Sequence, residues 1–451
     1  MIRSQSSGTK MQSSEKQTPS RWLDRTARRA LFGRLADLRG GELYVCDVDG
    51  RERFGAASDL RARIDVRDPR FFRNAVLGGT LSIAESYIQG HWDCDDLTAL
   101  FRLFIRNLAA ADQLDGGFPK LSMAVQRLMH WLRANTPGGS RKNIQAHYDL
   151  GNEFFRLWLD ETWAYSSGIF PSPDASLHAA SVEKFDRACR KLQLDPDDQL
   201  LEIGTGWGGL ALHAAGEYGC RVTTTTISQE QFDIARERVR AAGLENRVTL
   251  LQQDYRHLAG RFNKLVSIEM VEAVGHRYLD DYFRKCGELL TPDGTMILQA
   301  IVMPERRYQS YLGAVDFIQK YVFPGGCLPS TATMLESIGR TTDLRFVHAE
   351  DFAPHYAETL RRWRRAFHAR LDDVRALGYS EQFLRLWDYY LCYCEALFEE
   401  RYVGVVQLQF DKPKCRRDPI LLSAQAAGRP WRPHLERPSH TASPHSAWTG
   451  N

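Results

Sequence analysis

The chain predicts an α/β fold, a largely parallel sheet with helices on both faces, behind a small α+β N-terminal domain. Three observations lead there. Beyond residue 141, apolar strand-like runs alternate with amphipathic stretches of helical period. One of those runs ends in a glycine-rich turn that opens a helix. The 451 residues suffice for two or three domains, and Pro137-Gly138-Gly139-Ser140 is a clear break between them.

Taken in order, residues 1–20 are rich in Ser, Gln, Thr and Lys and are expected to be disordered. Residues 21–110 form the first domain. It opens on an amphipathic stretch with arginines at 21, 25, 28, 29 and 34 beside Trp22, Leu31 and Phe32. A strand-like run, Glu42-Leu43-Tyr44-Val45-Cys46, follows and is closed by Asp49-Gly50; residues 71–103 read as helices around Gly78-Gly79. Residues 111–140 are a helical connector and linker, and 141–412 are the α/β domain. Its strand candidates are 200–203, 221–226, 248–252, 265–268 and 295–301, the last introduced by the turn Pro292-Asp293-Gly294. Helices 228–242 and 277–289 lie between them. Residues 308–387 interrupt the rhythm with aromatic-rich helices, and 403–410 alternates like a strand returning to the sheet. Six prolines after Lys412 make 413–451 a second disordered tail.

Composition narrows the function. At 43% hydrophobic and 25% charged residues the chain reads as an ordinary globular protein. A net charge of +3 argues against a nucleic-acid partner. No apolar run approaches the ~20 residues that cross a bilayer, and the polar start has no signal-peptide core. The nine cysteines lack paired spacing, and Cys392 and Cys394 stand too close for a zinc pair, so reduced thiols, no metal and a cytoplasmic location are expected.

The turn is Leu201-Glu202-Ile203-Gly204-Thr205-Gly206-Trp207-Gly208-Gly209. Gly204, Gly206 and Gly209 fit a dinucleotide pattern; Gly204, Gly206 and Gly208 fit the turn of S-adenosylmethionine (SAM) methyltransferases. A dinucleotide site wants an acid at the end of the second strand, about 20 residues on. Here that strand, Arg221-Val222-Thr223-Thr224-Thr225-Thr226, ends without one. SAM is a cation without a pyrophosphate. The acid just before the glycines, Glu202, suits its ammonium and would repel a diphosphate. The methyltransferase reading is preferred on these grounds.

Further segments carry a family resemblance. They are Ala146-His147-Tyr148-Asp149-Leu150-Gly151-Asn152-Glu153-Phe154-Phe155, Tyr165-Ser166-Ser167, the turn itself and Thr226-Ile227-Ser228-Gln229-Glu230-Gln231. They continue with Asp254-Tyr255-Arg256, Met270-Val271-Glu272-Ala273-Val274-Gly275 and residues 321–330. In their presence and order the chain resembles the cyclopropane-fatty-acyl-phospholipid synthases and the related mycolic-acid cyclopropane synthases, over roughly residues 35–412. Glu85-Ser86-Tyr87-Ile88-Gln89-Gly90-His91-Trp92 matches the phospholipid-acting branch. The resemblance implies a methyltransferase-type, Rossmann-like sheet of seven strands with a helical lid over an acyl channel, and a first domain for lipid docking or dimerisation. It implies SAM as cofactor and an unsaturated membrane phospholipid as partner, contacted peripherally at the inner face. It also implies a homodimer. The reaction implied is transfer of a methyl(ene) unit to a cis double bond, with bicarbonate taking the proton as a cyclopropane ring closes.

Carried over residue by residue, the cofactor positions are Tyr165, Ser166, Gly204, Thr226, Gln231, Asp254, Tyr255 and Ile268, beside Glu202 and Gly206 of the turn. Thr226 and Gln231 have a plainer role in helix entry, with Ser228 the N-cap. The family surrounds bicarbonate with Cys, Glu, His and Tyr. Glu272 and Tyr356 match; Ser167 stands for the Cys and Gln299 for the His. Gln299 donates a hydrogen bond but carries neither proton nor charge. The departures bear on the product: C-methylation without ring closure, giving a methyl-branched unsaturated chain, is the alternative. A non-catalytic lipid-binding relative is the third reading, disfavoured by Glu202, Glu272, Tyr165 and the intact turn. Glu269 is nearer the strand 265–268, but Glu272 is the preferred acid. His147 and Tyr148 either cap a channel or pack. Arg361-Arg362-Trp363-Arg364-Arg365-Ala366-Phe367 is either a solvated helix face or a contact for anionic head groups.

Overall fold

The computed structural model describes residues 19–111, 150–313 and 315–418. The Pro137–Ser140 break, His147 and Tyr148 and nearly all of both expected tails lie outside them. Two sheets organise the molecule. The N-terminal one has four strands in the order β2-β1-β3-β4: β1 Glu42–Asp47, β2 Gly50–Gly55, β3 Arg61–Val66 and β4 Trp92–Cys94. The β1–β2 hairpin turns at Val48-Asp49, where Asp47 Oδ1 accepts from the backbone N–H groups of Asp49 and Gly50. The sequence reading passed over β4. Three residues are too few to show a period of two, and Trp92 is held by burial and by its indole donating to Ser86 Oγ at 3.0 Å.

The second sheet has seven strands in the order β10-β11-β9-β8-β5-β6-β7. They are β5 Gln199–Ile203, β6 Arg221–Thr226, β7 Val248–Gln252, β8 Phe262–Ile268, β9 Leu290–Val302, β10 Arg345–Asp351 and β11 Gly404–Asp411. The five from β9 to β7 are parallel; β11 runs antiparallel to both β9 and β10. The parallel core strands are buried on both faces, which is why 200–203 and 296–300 are apolar except at Glu202 and Gln299. Pro292-Asp293-Gly294 lies inside β9 instead of before it, and the ladder with β8 absorbs it by a register shift. Strand β10 corrects the expectation that 308–387 holds helices alone. It is an edge strand, so its exposed positions include Arg345, Phe346 and Asp351 without clean alternation.

Serine hydroxyls set the helix starts. Ser176, Ser228, Ser330 and Ser380 each accept from the backbone N–H three residues on, opening Leu177–Leu192, Gln229–Ala241, Thr331–Thr341 and Glu381–Glu399. The Glu381–Glu399 helix ties the sheets together. Arg385 donates to Asp93 Oδ1 and Trp92 O, both at 2.7 Å, and Tyr87 OH donates to Asp388 at 3.1 Å. The described residues up to Arg416 accordingly form one compact unit, and the two regions share one aromatic-rich core. Among the described residues no helix is long and apolar enough to cross a membrane.

Candidate active site

Five parallel strands bring their carboxyl ends to one edge, where open α/β sheets bind ligands. The chain order reverses between β8 and β5, and most of the expected site residues flank that point. On one side, β5 delivers Glu202 into the glycine turn. Gly204, Gly206 and Gly208 have φ of +104°, +53° and +88°, backbone that side chains disfavour. A Cβ on Gly206 would meet no protein atom within 4 Å, whereas one on Gly209 would stand 2.9 Å from Thr162 O. Gly206 thus faces open space, and Gly209 serves packing.

Glu202 is buried, and Thr224 donates to its Oε2 at 2.6 Å. Burial pushes its carboxyl up to about 8. Thr226 and Gln231 are both buried and bonded to each other at 2.8 Å, while Ser228 caps the helix through the Gln231 N–H. Asp254 ends β7, where Arg256 holds it ionised through a 2.7 Å ion pair; Tyr255 packs edge-on against Tyr282. A cation such as SAM fits this set: an open glycine backbone, a buried carboxyl with no cation hydrogen-bonded to it among the described residues, and a second acid just after β7.

On the other side, at the end of β8 beside Ile268, the structure gathers Ser167, Gln299 and Tyr356 around one carboxylate, and that carboxylate is Glu269. Its Oε1 accepts from the Ser167 backbone N–H at 3.0 Å and from Gln299 Nε2 at 2.7 Å; its Oε2 accepts from Tyr356 OH at 2.7 Å. Glu272, preferred on sequence, stands behind it. Glu272 Oε1 accepts from Ile301 N at 2.6 Å, and its Oε2 has no hydrogen-bond partner among the described residues. Burial and the neighbouring Glu269 push Glu272 up to about 8. Burial likewise raises Glu269, against the opposing pull of its three donors. Glu269 sits at φ +49°, left-handed backbone that costs a glutamate on the order of 1 kcal/mol.

Bicarbonate does not fit this cage. Its donors are taken by Glu269, and an anion placed there would face two carboxyl groups. The cage is rigid because one helix, Ala353–Ala369, pins the loop that carries it. Tyr356 reaches Glu269, Thr359 Oγ1 accepts from Gly168 N at 3.1 Å, and His355 Nδ1 accepts from Phe170 N at 3.0 Å. Tyr165, on the same loop, shares a 2.9 Å hydrogen bond with Tyr390 and packs among Phe155, Trp158, Phe323 and Trp363. An apolar, aromatic wall therefore adjoins the carboxylate.

Ser166 accepts from Lys184 Nζ at 2.6 Å. Lys184 is fully buried; burial lowers its ammonium to about 8, opposed by Glu269, Asp160 and Glu202. Sequence reasoning missed it, since a lysine on an amphipathic helix reads as solvated. Arg361, Arg362 and Arg364 are engaged within the fold, by Glu358 and Glu395 and, for Arg362, by the face of Phe170; Arg365 is exposed.

The model of the mycolic acid cyclopropane synthetase family matches residues 137–408. The chain is 40% identical over 347 residues to the tuberculostearic acid methyltransferase UfaA1 of Mycobacterium tuberculosis, covering 73% of this chain and 78% of that one. It is 36% identical over 356 residues to the cyclopropane-fatty-acyl-phospholipid synthase of Escherichia coli, covering 78% and 88%. Among solved structures it is similar to mycolic acid cyclopropane synthase CmaA1 complexed with SAH and CTAB. The identity is 31% and the TM-score 0.57, over 60% of this chain and 98% of that one.

Proposed function

The chain belongs to the mycolic acid cyclopropane synthetase family of SAM-dependent methyltransferases, and from there we propose that it methylates the cis double bond of an unsaturated phospholipid acyl chain and passes the departing proton to Glu269. The product of this reading is a methyl-branched chain that keeps one unit of unsaturation, not a ring. One observation carries it: the Glu269 carboxylate fills the donors that the resemblance assigns to bicarbonate.

Bound SAM supplies an electrophilic methyl group. An alkene is a weak nucleophile, so Tyr165 and the aromatic side chains around it serve to hold the acyl chain in line and exclude water. Their ring faces stabilise the positive charge that develops on the alkylated chain. Glu269 is fixed by three hydrogen bonds and tethered to its own backbone. It takes a proton only from a carbon that lies against the cage wall, whereas a free anion stands forward of the wall and can follow the new methyl group. The relative at 40% identity is named as a methyltransferase, which agrees with a branch in place of a ring.

The test is expression in a host without a cyclopropane synthase, with mass spectrometry of its membrane fatty acids. A gain of one CH2 with a retained double bond is expected. Glu269→Gln should abolish the product and leave SAM binding intact. Glu269→Gly empties the cage and removes the left-handed strain. With added bicarbonate it should recover turnover and shift it toward a cyclopropane. A cyclopropane from the unmodified enzyme would overturn the proposal.

A further inference from the structure

Gln299 is an amide, and either end of it can face Glu269. The NH2 end donates to the carboxylate; the carbonyl end would set oxygen against oxygen. The surroundings of Gln299 decide between them. Gln407 on β11 lies in register with Gln299 on β9, and both side chains are fully buried. Gln407 Nε2 donates to Gln299 Oε1 at 3.0 Å. Gln407 is oriented in turn by Lys191, from the helix Leu177–Leu192, whose ammonium donates to Gln407 Oε1 at 2.7 Å and to Glu350 Oε2 at 2.6 Å.

An ammonium donates and never accepts. Lys191 therefore holds the oxygen end of Gln407. That leaves the NH2 end of Gln407 for Gln299, and the NH2 end of Gln299 for Glu269. We infer that Lys191 and Gln407 are positioning residues: a donor-only side chain sets the sense of two buried amides in series and so keeps a hydrogen-bond donor on Glu269. The geometry stands by itself; its catalytic consequence rests on Glu269 being the proton acceptor proposed above.

Other charged and titratable groups face the ends of this relay. Glu269 is faced by Lys184, Tyr356, Tyr390 and Glu272. Lys191 is faced by Glu350, Arg187 and Arg190. Arg187 also pairs with Glu350, so that carboxylate keeps a cation when Lys191 is replaced. Among the described residues none of these groups hydrogen-bonds either amide, so beyond Glu269 itself it is Lys191 that sets their sense.

A base must be ionised to accept a proton, so activity falls as pH drops through the Glu269 pKa. Loss of the Gln299 donor disfavours the carboxylate and moves that midpoint upward. A hydrogen bond to a charged group corresponds to a shift of about one to two pH units.

The experiment compares full-length Lys191→Met, Lys191→Arg and Gln407→Leu with the unmodified enzyme. Two readouts are followed against pH: kcat/KM, and the infrared carbonyl band of protonated Glu269, identified by its loss in Glu269→Gln. Lys191→Met and Gln407→Leu should each raise both midpoints by about one to two units. Lys191→Arg, also donor-only, should leave them in place, and the double variant should exceed neither single one, because the residues act in series. If Lys191→Met does not fold, Gln407→Leu carries the same test with Lys191 still paired to Glu350. An unmoved infrared midpoint in a folded, SAM-binding variant overturns the inference. An infrared shift without a change in the rate profile upholds the relay and sinks Glu269 as proton acceptor.

Discussion

Glu202 and Lys184 are buried ionisable groups beside a site for a cationic cofactor. Burial holds Glu202 protonated up to a pH of about 8, against 4.5 for an exposed glutamate. A bound cation favours its carboxylate, so binding releases a proton wherever the free protein holds one. SAM affinity should therefore climb as pH rises toward 8, by up to tenfold per unit, and level off above it. Calorimetric titration of SAM between pH 6 and 9 measures this, and Glu202→Gln should flatten the curve. A flat profile in the unmodified protein would remove Glu202 from cofactor binding. The same scale shows what a sequence hides. Glu202 was legible because it abuts the glycines. Glu269 is hidden because the motif that carries the resemblance contains Glu272, and only the left-handed turn at Glu269 swings its side chain onto Ser167, Gln299 and Tyr356.

Elements place these residues, and the glycine turn shows how finely. Two patterns overlap in it: both contain Gly206, and only the dinucleotide pattern contains Gly209. Gly206 has open space where a Cβ would go, whereas a Cβ on Gly209 would press on Thr162 O at 2.9 Å and on the Phe185 ring at 3.0 Å. Gly206→Ala should fold, at a cost of about 1 kcal/mol for its left-handed backbone, and weaken SAM binding at least tenfold. Gly209→Ala should cost about 1–3 kcal/mol through overpacking, with the affinity of the remaining folded protein little changed. Denaturant unfolding paired with calorimetry separates the two, and the reverse pattern would assign the cofactor to Gly209. The turn and the parallel strands could be read from sequence because buried parallel strands are rich in apolar and β-branched residues and four of the helix starts are marked by serine. Strands β4 and β10 could not. One is too short for a period, and the other is an edge whose charged residues serve solvent and ion pairs such as Arg187–Glu350.

At the scale of the whole molecule, a cleft of about 750 Å³ lies between the N-terminal sheet, the helix Leu97–Ala111 and the helices Ala353–Ala369 and Glu381–Glu399. Its inner wall is neutralised, because Glu395 pairs with both Arg361 and Arg364. Its mouth is not. Arg61 and Arg365 are exposed and carry no acidic partner among the described residues, and Arg51 only stacks on Tyr44 at 3.8 Å. The basic helix singled out in the sequence thus divides into arginines that hold the fold and one, Arg365, that is free. A phospholipid acceptor would bring phosphates to this surface, and each basic residue near an anionic membrane contributes about 1 kcal/mol. Replacing Arg61 and Arg365 by serine should lower partitioning onto phosphatidylglycerol-containing vesicles by about tenfold or more at low salt. Partitioning onto phosphatidylcholine alone should not change, nor should turnover of detergent-dispersed substrate, since neither residue touches the Glu269 cage. Inorganic phosphate that protects the unmodified protein against heat, without any change in vesicle binding, would point to a soluble anion in place of a lipid surface. Vesicle sedimentation of the double variant indistinguishable from the unmodified protein would place membrane contact elsewhere, with the exposed Trp22 and Leu23 of the Pro19–Leu35 helix the next surface to test.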